Sequence, residues 1–498
     1  MKNFLEIDGN TLKIDDIYTV SHNKTPVKLS RKSIKVIEKS LASVNEVVNL
    51  GKPVYGINTG FGKLADVTIK NADLKKLQEN LILSHSAGAG EVVSEEEVRA
   101  AIIVRANSLA KGYSGVRKEV VGKLLEILNK GIYPYVPIFG SVGASGDLAP
   151  LAHIALLLLG KGKIVKDNQI LDFSSQLSNY SFEPIYEFYP KEGLALINGT
   201  SFEAGISALL IYESKYLFNI SLKSFSMAFE ALLGRLDPFD LRIHKVRNSI
   251  YQEKVSKEVM NILSESTLVN KGKNVQDAYT LRCMPQVYGA VLENLDYISN
   301  FIEREINAST DNPLIFEDGA IVSGGNFHAQ PLAFLMDLYA IILTSLSSMI
   351  ERRINRLLNP NLSYLKPFLA NNPGIESGMM ILQYLAASLV SMNKVLSHPA
   401  SIDSIPVSAD QEDFVSMGMN AVIKARKVLE NFRKVVAVEL IVGAQALEMV
   451  IKENKERMGK GTEEIFSKLR ALVSFANKDR EFSYDVSNVE DALKKHLL

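Results

Sequence analysis

The chain has 498 residues, 56 of them basic and 56 acidic, so its formal net charge is zero. This length suggests about three domains, and the balanced charge argues against nucleic acid or a membrane surface as a partner, because either usually requires a basic excess. Cys283 is the single cysteine, which excludes an intrachain disulfide and fits a reducing cytoplasm.

The N-terminal residues lack the apolar core of a signal peptide, so we expect a cytoplasmic protein. Two long apolar runs, residues 331–350 and 435–451, contain Asp337 and Glu439. A carboxylate is costly in the middle of a membrane, so the runs predict helices buried in a bundle or a subunit interface, and no membrane span. The seven histidines form no pair at metal-ligand spacing, and we expect no catalytic metal.

Three short segments have the pattern of β-hairpins. At the N terminus, residues 4–7 and 12–14 flank the turn residues 8–10, which read Asp-Gly-Asn. Two further hairpins are predicted at residues 163–171 and 315–321, each around a polar turn.

Most of the remaining chain has helical periodicity. Apolar residues recur at helical spacing over residues 34–48, and Ser94 to Glu97 has the pattern of a capping box before another helix. Beyond Gly199 the pattern is mostly that of long helices. We therefore predict a mainly α fold, in which a Gly-rich N-terminal region with a few small β-hairpins accompanies a long-helix bundle. The predicted domains are residues 1–200 and 201–498, which together can form one continuous structural unit.

The segment with the most specific chemistry is the glycine-spaced run from Gly140 to Gly146, which contains Ala144 and Ser145. In a tight bend, the Gly146 amide nitrogen can attack the Ala144 carbonyl carbon and close a five-membered ring. Loss of water from the ring and of the Ser145 hydroxyl then leaves a methylidene-imidazolone. Glycine is needed at the third position because a side chain would crowd the attacking nitrogen. Most Ala-Ser-Gly triplets are plain turns, so local chemistry alone leaves this open.

Two other interpretations of this segment start from its serine and its glycines. Ser145 as the nucleophile of a hydrolase lacks the G-x-S-x-G context, and no His/Asp pair stands out at informative spacing. A phosphate-binding loop requires G-x-x-x-x-G-K-[ST], and residues 56–63, the nearest approach, fail in spacing and are followed by Leu64.

The run from residue 140 to residue 150 resembles the prosthetic-group segment of the aromatic amino acid ammonia-lyase family. The similarity extends over roughly residues 54–416, and the matching segments occur in family order. Besides the prosthetic-group segment, they are residues 55–62, 80–85, 193–200, 276–283, 323–328 and 411–413. Each segment alone is weak, but all of them in order make coincidence very improbable.

The resemblance implies a mainly α homotetramer whose active sites are assembled from three subunits. It also implies elimination of ammonia from L-histidine to give urocanate. The electrophile would be a 4-methylidene-imidazol-5-one formed autocatalytically from Ala144-Ser145-Gly146, without an external cofactor. A tyrosine or phenylalanine ammonia-lyase, or an aminomutase with the same group, is the nearest alternative. A serine hydrolase, or a helical scaffold whose triad never cyclises, is a more distant one.

The resemblance also assigns roles to single residues. Tyr55 is the candidate base that removes the β-proton, with Glu412 as its alternative, and Arg282 is the candidate partner of the substrate carboxylate. The other residues expected to bind substrate are His85, Asn198, Gln276, Tyr279 and Phe327. Without the family match, an arginine in a surface salt bridge and a tyrosine buried beside a turn would be the ordinary interpretations.

The choice of histidine rests on polar groups that can pair a buried imidazole. His85 and Glu412 supply such groups, whereas Glu412 beside a phenyl ring would be an unpaired buried charge. Three residues depart from the usual histidine-lyase pattern: Phe414 stands where His is usual, Gln330 where Glu is usual, and Asp410 where Asn is common. These departures leave the chemistry intact and bear on substrate identity.

Overall fold

The computed structural model describes residues 4–454 and 456–498, so residues 1–3 of the predicted first domain lie outside the described residues. Helices dominate this part of the chain, which confirms the predicted mainly α class. In chain order they are α1 (Ile14–Ser21), α2 (Arg31–Leu50), α3 (Leu74–His85), α4 (Glu95–Ala110), α5 (Lys118–Asn129), α6 (Leu148–Leu158), α7 (Glu192–Ile197), α8 (Ser201–Ala231), α9 (Leu241–Val246), α10 (Ile250–Ile262), α11 (Tyr279–Arg282), α12 (Met284–Glu305), α13 (Gln330–Leu358), α14 (Pro360–Ser363), α15 (Met380–Leu396), α16 (Gly418–Asn454), α17 (Lys460–Leu472) and α18 (Phe482–Lys494).

The strands are short and occur in pairs. They are β1 (Leu5–Ile7), β2 (Val27–Leu29), β3 (Ala89–Val92), β4 (Pro137–Phe139), β5 (Lys163–Lys166), β6 (Gln169–Asp172), β7 (Leu314–Ile315) and β8 (Ile321–Val322). β1 pairs with β2 in parallel, whereas β3–β4, β5–β6 and β7–β8 are antiparallel pairs. The β5–β6 and β7–β8 hairpins confirm two of the three predicted hairpins. Asp167 and Asn168 turn the first of them with positive φ angles of 50° and 60°, as a tight hairpin turn requires.

The predicted N-terminal hairpin is wrong. Residues 12–14 do not form a strand, and α1 begins at Ile14. Asp15 and Asp16 lie in the first turn of α1, where a negative charge stabilises a helix N-terminus. That preference overrides the weak alternation of Leu12-Lys13-Ile14, and β1 pairs instead with β2, beyond the helix.

The chain packs into two compact units that interleave along the sequence. The first comprises Met1–Tyr212, Ile298–Asp337 and Pro399–Ile423, and the second comprises Glu213–Tyr297, Leu338–His398 and Lys424–Leu498. The residue ranges of α8, α12, α13 and α16 each cross this division. The domain boundary predicted after residue 200 stays a prediction. The two compact units are not separated by a single boundary, because each combines three separate stretches of chain.

In the first unit, α4 is buried on nearly every face. Its capping box forms as predicted, because Glu97 N donates to Ser94 Oγ at 3.3 Å and Ser94 N donates to the Glu97 carboxylate at 3.2 Å. α1, α2 and α5 pack against it. Gly205 in α8 allows the backbone of α8 to approach that of α4 closely, since a Cβ at Gly205 would lie 2.7 Å from the Ala100 carbonyl carbon. Charged groups on α4 are therefore enclosed by neighbouring helices.

In the second unit, a buried ion pair joins α13 and α16. Arg353 Nε lies 2.6 Å from Glu439 Oε1, and both side chains are fully buried. Arg353 also donates to the Tyr288 hydroxyl at 2.7 Å, and Ser224 Oγ donates to the other Glu439 oxygen at 2.5 Å. The carboxylate noted in the second apolar run is thus neutralised by partners inside the protein.

One described helix, α13, is long and apolar enough to cross a membrane by length and composition. In its most apolar window, 72% is buried inside the protein, as in a core helix. Asp337 in this helix accepts a hydrogen bond from Ser401 N at 2.8 Å. A core helix passes the same length and composition test, so the test is weak evidence for a span.

Candidate active site

A turn with glycines at positions where side chains do not fit precedes α6. Gly143 and Gly146 have φ angles of +67° and +74°, a region that favours glycine. A Cβ at Gly146 would lie 2.2 Å from the Gly199 carbonyl oxygen, and one at Gly143 would lie 2.2 Å from Ser416 Oγ. The spaced glycines therefore serve close backbone approach on both sides of Ala144 and Ser145.

The Ala144-Ser145-Gly146 turn is docked on residues 198 and 199. Gly146 and Gly199 form a parallel β-bridge, in which the neighbours of Gly146 make the hydrogen bonds. Asp147 N donates to Gly199 O at 2.9 Å, and Gly199 N donates to Ser145 O at 3.3 Å. Asn198 Nδ2 adds a bond of 2.8 Å to Ser145 O.

This pairing leaves the atoms of the predicted ring closure unengaged. Among the described residues, the Gly146 N–H and the Ala144 carbonyl form no hydrogen bond with another group. The Gly146 carbonyl, by contrast, accepts from Ser141 Oγ at 3.3 Å. The amide nitrogen and the carbonyl carbon that would join are therefore not tied into backbone pairing.

Ser145 faces a cavity of about 480 Å³ in the first unit. Its hydroxyl donates to Glu412 Oε1 at 2.9 Å. The polar residues and glycines lining the cavity are Tyr55, Gly60, Gly62, Asn80, Ser84, His85, Ser145, Asn198, Ser408 and Glu412. The structure thus brings together five residues predicted from the sequence, Tyr55, His85, Ser145, Asn198 and Glu412, and Ala144 and Gly146 flank the serine.

Tyr55 lies on the loop between α2 and α3, and its hydroxyl accepts a hydrogen bond from Gly62 N at 3.4 Å. Burial raises the pKa of the Tyr55 phenol, and the negative charges of Glu412 and Asp311 raise it further. A tyrosine acts as a base only when it is deprotonated, and its ordinary pKa is about 10. A base role for Tyr55 would therefore suit alkaline pH, unless a cation approaches the phenol.

His85 is the last residue of α3 and lines the same cavity. Its Nδ1 lies 2.9 Å from the Leu81 carbonyl oxygen, which can only accept, so Nδ1 carries the proton. Burial lowers the pKa of His85, which favours the neutral ring. In that tautomer Nε2 is a hydrogen-bond acceptor, so His85 offers the cavity an uncharged acceptor.

Glu412 is presented by a tight loop. Val407 N donates to Glu412 O at 3.1 Å, and Glu412 N donates to Val407 O at 3.3 Å. Between them, Ser408, Ala409 and Asp410 have φ angles of +55°, +50° and +61°. Such angles cost a non-glycine residue on the order of 1 kcal/mol each, and strain of this kind concentrates at functional sites. Asp410, one of the departures from the family pattern, takes one of these strained positions.

A buried carboxyl pair lies behind the turn, and the sequence analysis did not identify it. Asp147 Oδ2 accepts from Phe202 N at 2.9 Å and from Glu203 N at 3.0 Å. Burial raises the pKa of Asp147 to about 6. Burial and the nearby Asp147 charge raise the pKa of Glu203 well above its ordinary value. At neutral pH the pair therefore holds a proton, most readily on Glu203. The available signal was a carboxylate in the first turn of the otherwise apolar start of α8.

The remaining predicted site residues lie elsewhere in the chain. Gln276 and Arg282 line a second cavity, of about 320 Å³, in the second unit. Tyr279 is 69% exposed, and the Arg282 guanidinium carbon lies 4.7 Å from its ring centre. Phe327 is half-buried in the turn after β8. None of these four lines the cavity at Ser145.

The two departures Phe414 and Gln330 also lie outside the cavity lining. The Phe414 ring is 59% exposed and stacks on His328, with ring centres 5.8 Å apart. Gln330 Nε2 donates to Ser401 O at 3.0 Å. Within the part of the chain that the structure describes, no group of three or more His, Cys, Asp or Glu side chains is placed to hold a metal ion.

Residues 12–471 match the sequence profile of the family described as aromatic amino acid lyase. The chain belongs to this family. The match covers the cavity residues of the first unit and the Arg282 cavity of the second, and it confirms the resemblance inferred from the sequence. The chain is therefore an enzyme of the lyase class.

Several relatives and solved structures are similar to the chain over nearly its whole length. A histidine ammonia-lyase of Geobacillus thermodenitrificans (strain NG80-2) is 46% identical over 495 residues, which are 99% of this chain and 97% of that protein. A histidine ammonia-lyase from Trypanosoma cruzi has a TM-score of 0.92 and 38% identity, covering 99% of this chain and 94% of that one. A tyrosine aminomutase from Streptomyces globisporus has a TM-score of 0.94 and 35% identity, covering 99% and 97%.

Proposed function

We propose that the chain eliminates ammonia from L-histidine and releases urocanate. One observation carries this proposal: a single cavity at the Ser145 turn holds a candidate base, Tyr55, and two groups that can pair an imidazole, His85 and Glu412. The 46% identity with a histidine ammonia-lyase over nearly the whole chain supports the choice of substrate.

We infer that Ala144-Ser145-Gly146 cyclises autocatalytically to a 4-methylidene-imidazol-5-one, with no external cofactor. The site fits such a ring, because the Gly146 nitrogen is unengaged and the Gly199 carbonyl leaves no room for a side chain at residue 146. The Ser145 hydroxyl, which must leave, is already bonded to Glu412. Once formed at residues 144–146, the group would supply an electrophilic carbon that improves the substrate amine as a leaving group.

Tyr55 removes the β-proton of the substrate in this proposal. It lies on a loop with Gly60 and Gly62, which suits a segment that closes over a substrate. A general base of this kind contributes about 10² to 10⁴ in rate. Glu412, which lines the same cavity, is the alternative base.

His85 and Glu412 recognise the imidazole of the substrate. Nε2 of His85 can accept a hydrogen bond from an imidazole N–H, because its Nδ1 proton is held by the Leu81 carbonyl. The Glu412 carboxylate can accept from the other ring nitrogen when that nitrogen is protonated. A phenyl ring would leave both groups unpaired, and a buried unpaired polar group typically costs about 1–3 kcal/mol.

The substrate carboxylate needs a cation that the cavity at Ser145 does not supply. Within the described residues, its lining contains no lysine or arginine. Arg282 is suited to the role, because its Nε is buried without a hydrogen-bond partner and its planar fork matches a carboxylate. We propose that Arg282, together with Gln276, Tyr279 and Phe327, reaches this cavity from neighbouring subunits of a homotetramer, with each site assembled from three subunits. Asn198 and Tyr279 would orient the substrate amine.

We place the enzyme in the cytoplasm, with a small amino acid as substrate and neither nucleic acid nor membrane as a partner. The single cysteine and the balanced charge support this placement.

An aminomutase or a lyase acting on tyrosine or phenylalanine is the second candidate. The tyrosine aminomutase of Streptomyces globisporus shares the fold at a TM-score of 0.94, so the fold alone does not separate the two activities. Phe414, which stands where a polar residue is usual, favours an aromatic substrate. Its position outside the cavity lining weakens that argument.

Two measurements test the proposal. Purified protein is mixed separately with histidine, tyrosine and phenylalanine, and the release of ammonia is followed with the absorbance of each unsaturated product. We expect the highest kcat/KM with histidine, and a higher value with tyrosine or phenylalanine would overturn the substrate assignment. Intact mass should show a loss of two water molecules relative to the encoded chain. An active protein at the encoded mass would rule out the cyclised group.

A further inference from the structure

We propose that Arg105 is a positioning residue for formation of the prosthetic group. Its guanidinium holds the Asn198-Gly199 segment on which the Ala144-Ser145-Gly146 turn is docked. This inference rests on the proposed function, because it concerns how the triad cyclises.

Arg105 lies in α4 and is 1% exposed. Nη1 donates to Asn198 O at 2.9 Å and to Ser201 Oγ at 3.4 Å, and Nη2 donates to Ala195 O. These two carbonyls belong to the last turn and the C-cap residue of α7. The last carbonyls of a helix lack partners within the helix and carry partial negative charge, so a guanidinium is favourable there.

The guanidinium of Arg105 donates mainly to backbone carbonyls, and not to a carboxylate. Among the described residues, its hydrogen bonds go to the two carbonyls and the Ser201 hydroxyl, and no carboxylate contacts it directly. Burial lowers the pKa of Arg105, and the charges of Asp311 and Asp147 raise it in part. An arginine stays charged even so, because its ordinary pKa exceeds 12. Burying a charge costs free energy. Here the buried guanidinium fixes the backbone geometry of residues 195–199.

The same short segment contacts Arg105 on one side and the triad on the other. Gly199 has a φ of +136°, and a Cβ there would lie 2.5 Å from Arg105 Nη1. The Gly199 carbonyl accepts from Asp147 N, its N–H donates to Ser145 O, and Asn198 Nδ2 donates to the same oxygen. Displacement of the guanidinium would therefore move the groups that hold Ser145 and Gly146 in the bend.

The step that this geometry serves needs no oxidant or reductant. The Gly146 nitrogen forms a bond to the Ala144 carbonyl carbon. The Ala144 oxygen leaves as water with the amide protons of Gly146 and Ser145. The Ser145 hydroxyl then leaves as a second water with the proton from the Ser145 Cα. The two losses together give the ring and its exocyclic double bond, and they need only a fixed approach of nitrogen to carbon.

Arg99 provides a matched control on the same helix. It is also 1% exposed, and among the described residues its guanidinium donates only to the backbone carbonyls of Val20 and Leu128. Those carbonyls belong to the ends of α1 and α5, away from the triad. Arg99→Met should therefore lose a comparable set of hydrogen bonds and leave the turn at Ser145 docked.

The experiment compares full-length wild type, Arg105→Met, Arg105→Lys and Arg99→Met. The fraction of chains that have lost two waters is measured by intact mass after short and long expression, and folding is checked by circular dichroism. We expect wild type and Arg99→Met to be fully dehydrated. Dehydration of Arg105→Met should be at least about tenfold slower, the effect of losing one charge-assisted hydrogen bond. Arg105→Lys, which keeps the charge and reaches fewer carbonyls, should be intermediate.

Each outcome decides one question. Dehydration of Arg105→Met at the rate of Arg99→Met would overturn the role of Arg105 and leave the proposed function standing. If neither Arg105 variant folds while Arg99→Met does, Arg105 acts in folding and the inference is wrong. A wild-type protein at the encoded mass would instead sink the proposed function itself.

Discussion

The cavity at Ser145 and the cavity at Arg282 differ in the charges that they offer to a substrate. The cavity at Ser145 has one carboxylate, Glu412, and a histidine that burial keeps neutral, with no lysine or arginine among its described lining residues. The cavity at Arg282 has two arginines, Arg235 and Arg282, and two aspartates, Asp237 and Asp277. Arg235 is paired with Asp237 at 2.9 Å, whereas Arg282 forms no ion pair with a described residue.

This difference suits two different parts of the substrate. Histidine carries an imidazole, an amine and a carboxylate. The first cavity suits the imidazole and the bond-breaking chemistry, and the second has the unneutralised cation that a carboxylate requires. If one cavity bound both the imidazole and the carboxylate of the substrate, the active site would not need residues from several subunits. The following predictions test this division, beginning with the largest expected effect.

Tyr55→Phe should leave the prosthetic group intact and reduce kcat by about 10² to 10⁴, because the base for the β-proton is lost. Phenylalanine keeps the ring and removes only the hydroxyl that accepts from Gly62 N. Steady-state kinetics gives the loss in kcat, and intact mass verifies that two waters are still absent.

Tyr113→Phe is the control for this variant, because its ring packs against Phe316 and does not line the cavity. It should retain ordinary activity. If Tyr55→Phe keeps more than half of the wild-type kcat, the base lies elsewhere and Glu412 becomes the candidate.

Arg282→Met should lower kcat/KM by about 10²-fold, mainly through KM, since the substrate carboxylate loses its partner. Arg235→Met is the matched control from the same cavity and should have little effect, because Arg235 is already paired with Asp237. Equal losses in the two variants would argue for a structural role of this cavity.

Co-expression of Tyr55→Phe with Arg282→Met tests whether the two cavities serve one site across subunits. If Arg282 reaches the Ser145 cavity of a neighbour, mixed tetramers contain some sites with both native residues and recover part of the activity. A mixture as inactive as either variant alone would contradict the assembly, and light scattering gives the number of subunits.

The sequence predicted local structure well where a strong local signal agreed with packing. The capping box at Ser94 and the turn at Asp167-Asn168 formed as expected. The N-terminal hairpin failed because two acidic residues favour the start of α1. The cavity residues of the first unit were found through family motifs, and the spacing of the glycines has a visible cause in the close contacts at Gly143 and Gly146.

Sequence could not reveal which charges become buried. Arg105, Asp147 and Glu203 read as ordinary helix or turn residues, and their roles depend on segments distant along the chain. The placement of Arg282 in a cavity separate from Ser145 was equally invisible, because a motif specifies residue types and not which cavity each residue lines.

His85→Leu should reduce kcat/KM for histidine by about tenfold and leave any activity with phenylalanine nearly unchanged. The imidazole N–H of histidine would lose the Nε2 acceptor, whereas a phenyl ring has no N–H or O–H that could have used it. Ser84→Ala is the control, since Ser84 lines the cavity but its hydroxyl contacts the Leu81 carbonyl and His85 Nδ1, and not the Nε2 atom that is offered to the substrate. A fall of equal size for both substrates would remove His85 from substrate recognition.

The smallest expected effect is on the pH profile, and its sign follows from the charges around Tyr55. Tyr55 must be deprotonated to act, so kcat/KM rises with pH and is lost as pH falls below the pKa of Tyr55. Burial raises that pKa most, and the Glu412 charge raises it further. Glu412→Gln removes the charge, so the ascending limb of the profile should move to lower pH by less than about one unit. His85→Leu should leave the limb in place, because burial lowers the pKa of His85 and its ring is uncharged at alkaline pH. A limb that stays put in Glu412→Gln, or moves to higher pH, would mean that the ionisation controlling the rate does not belong to a phenol beside Glu412.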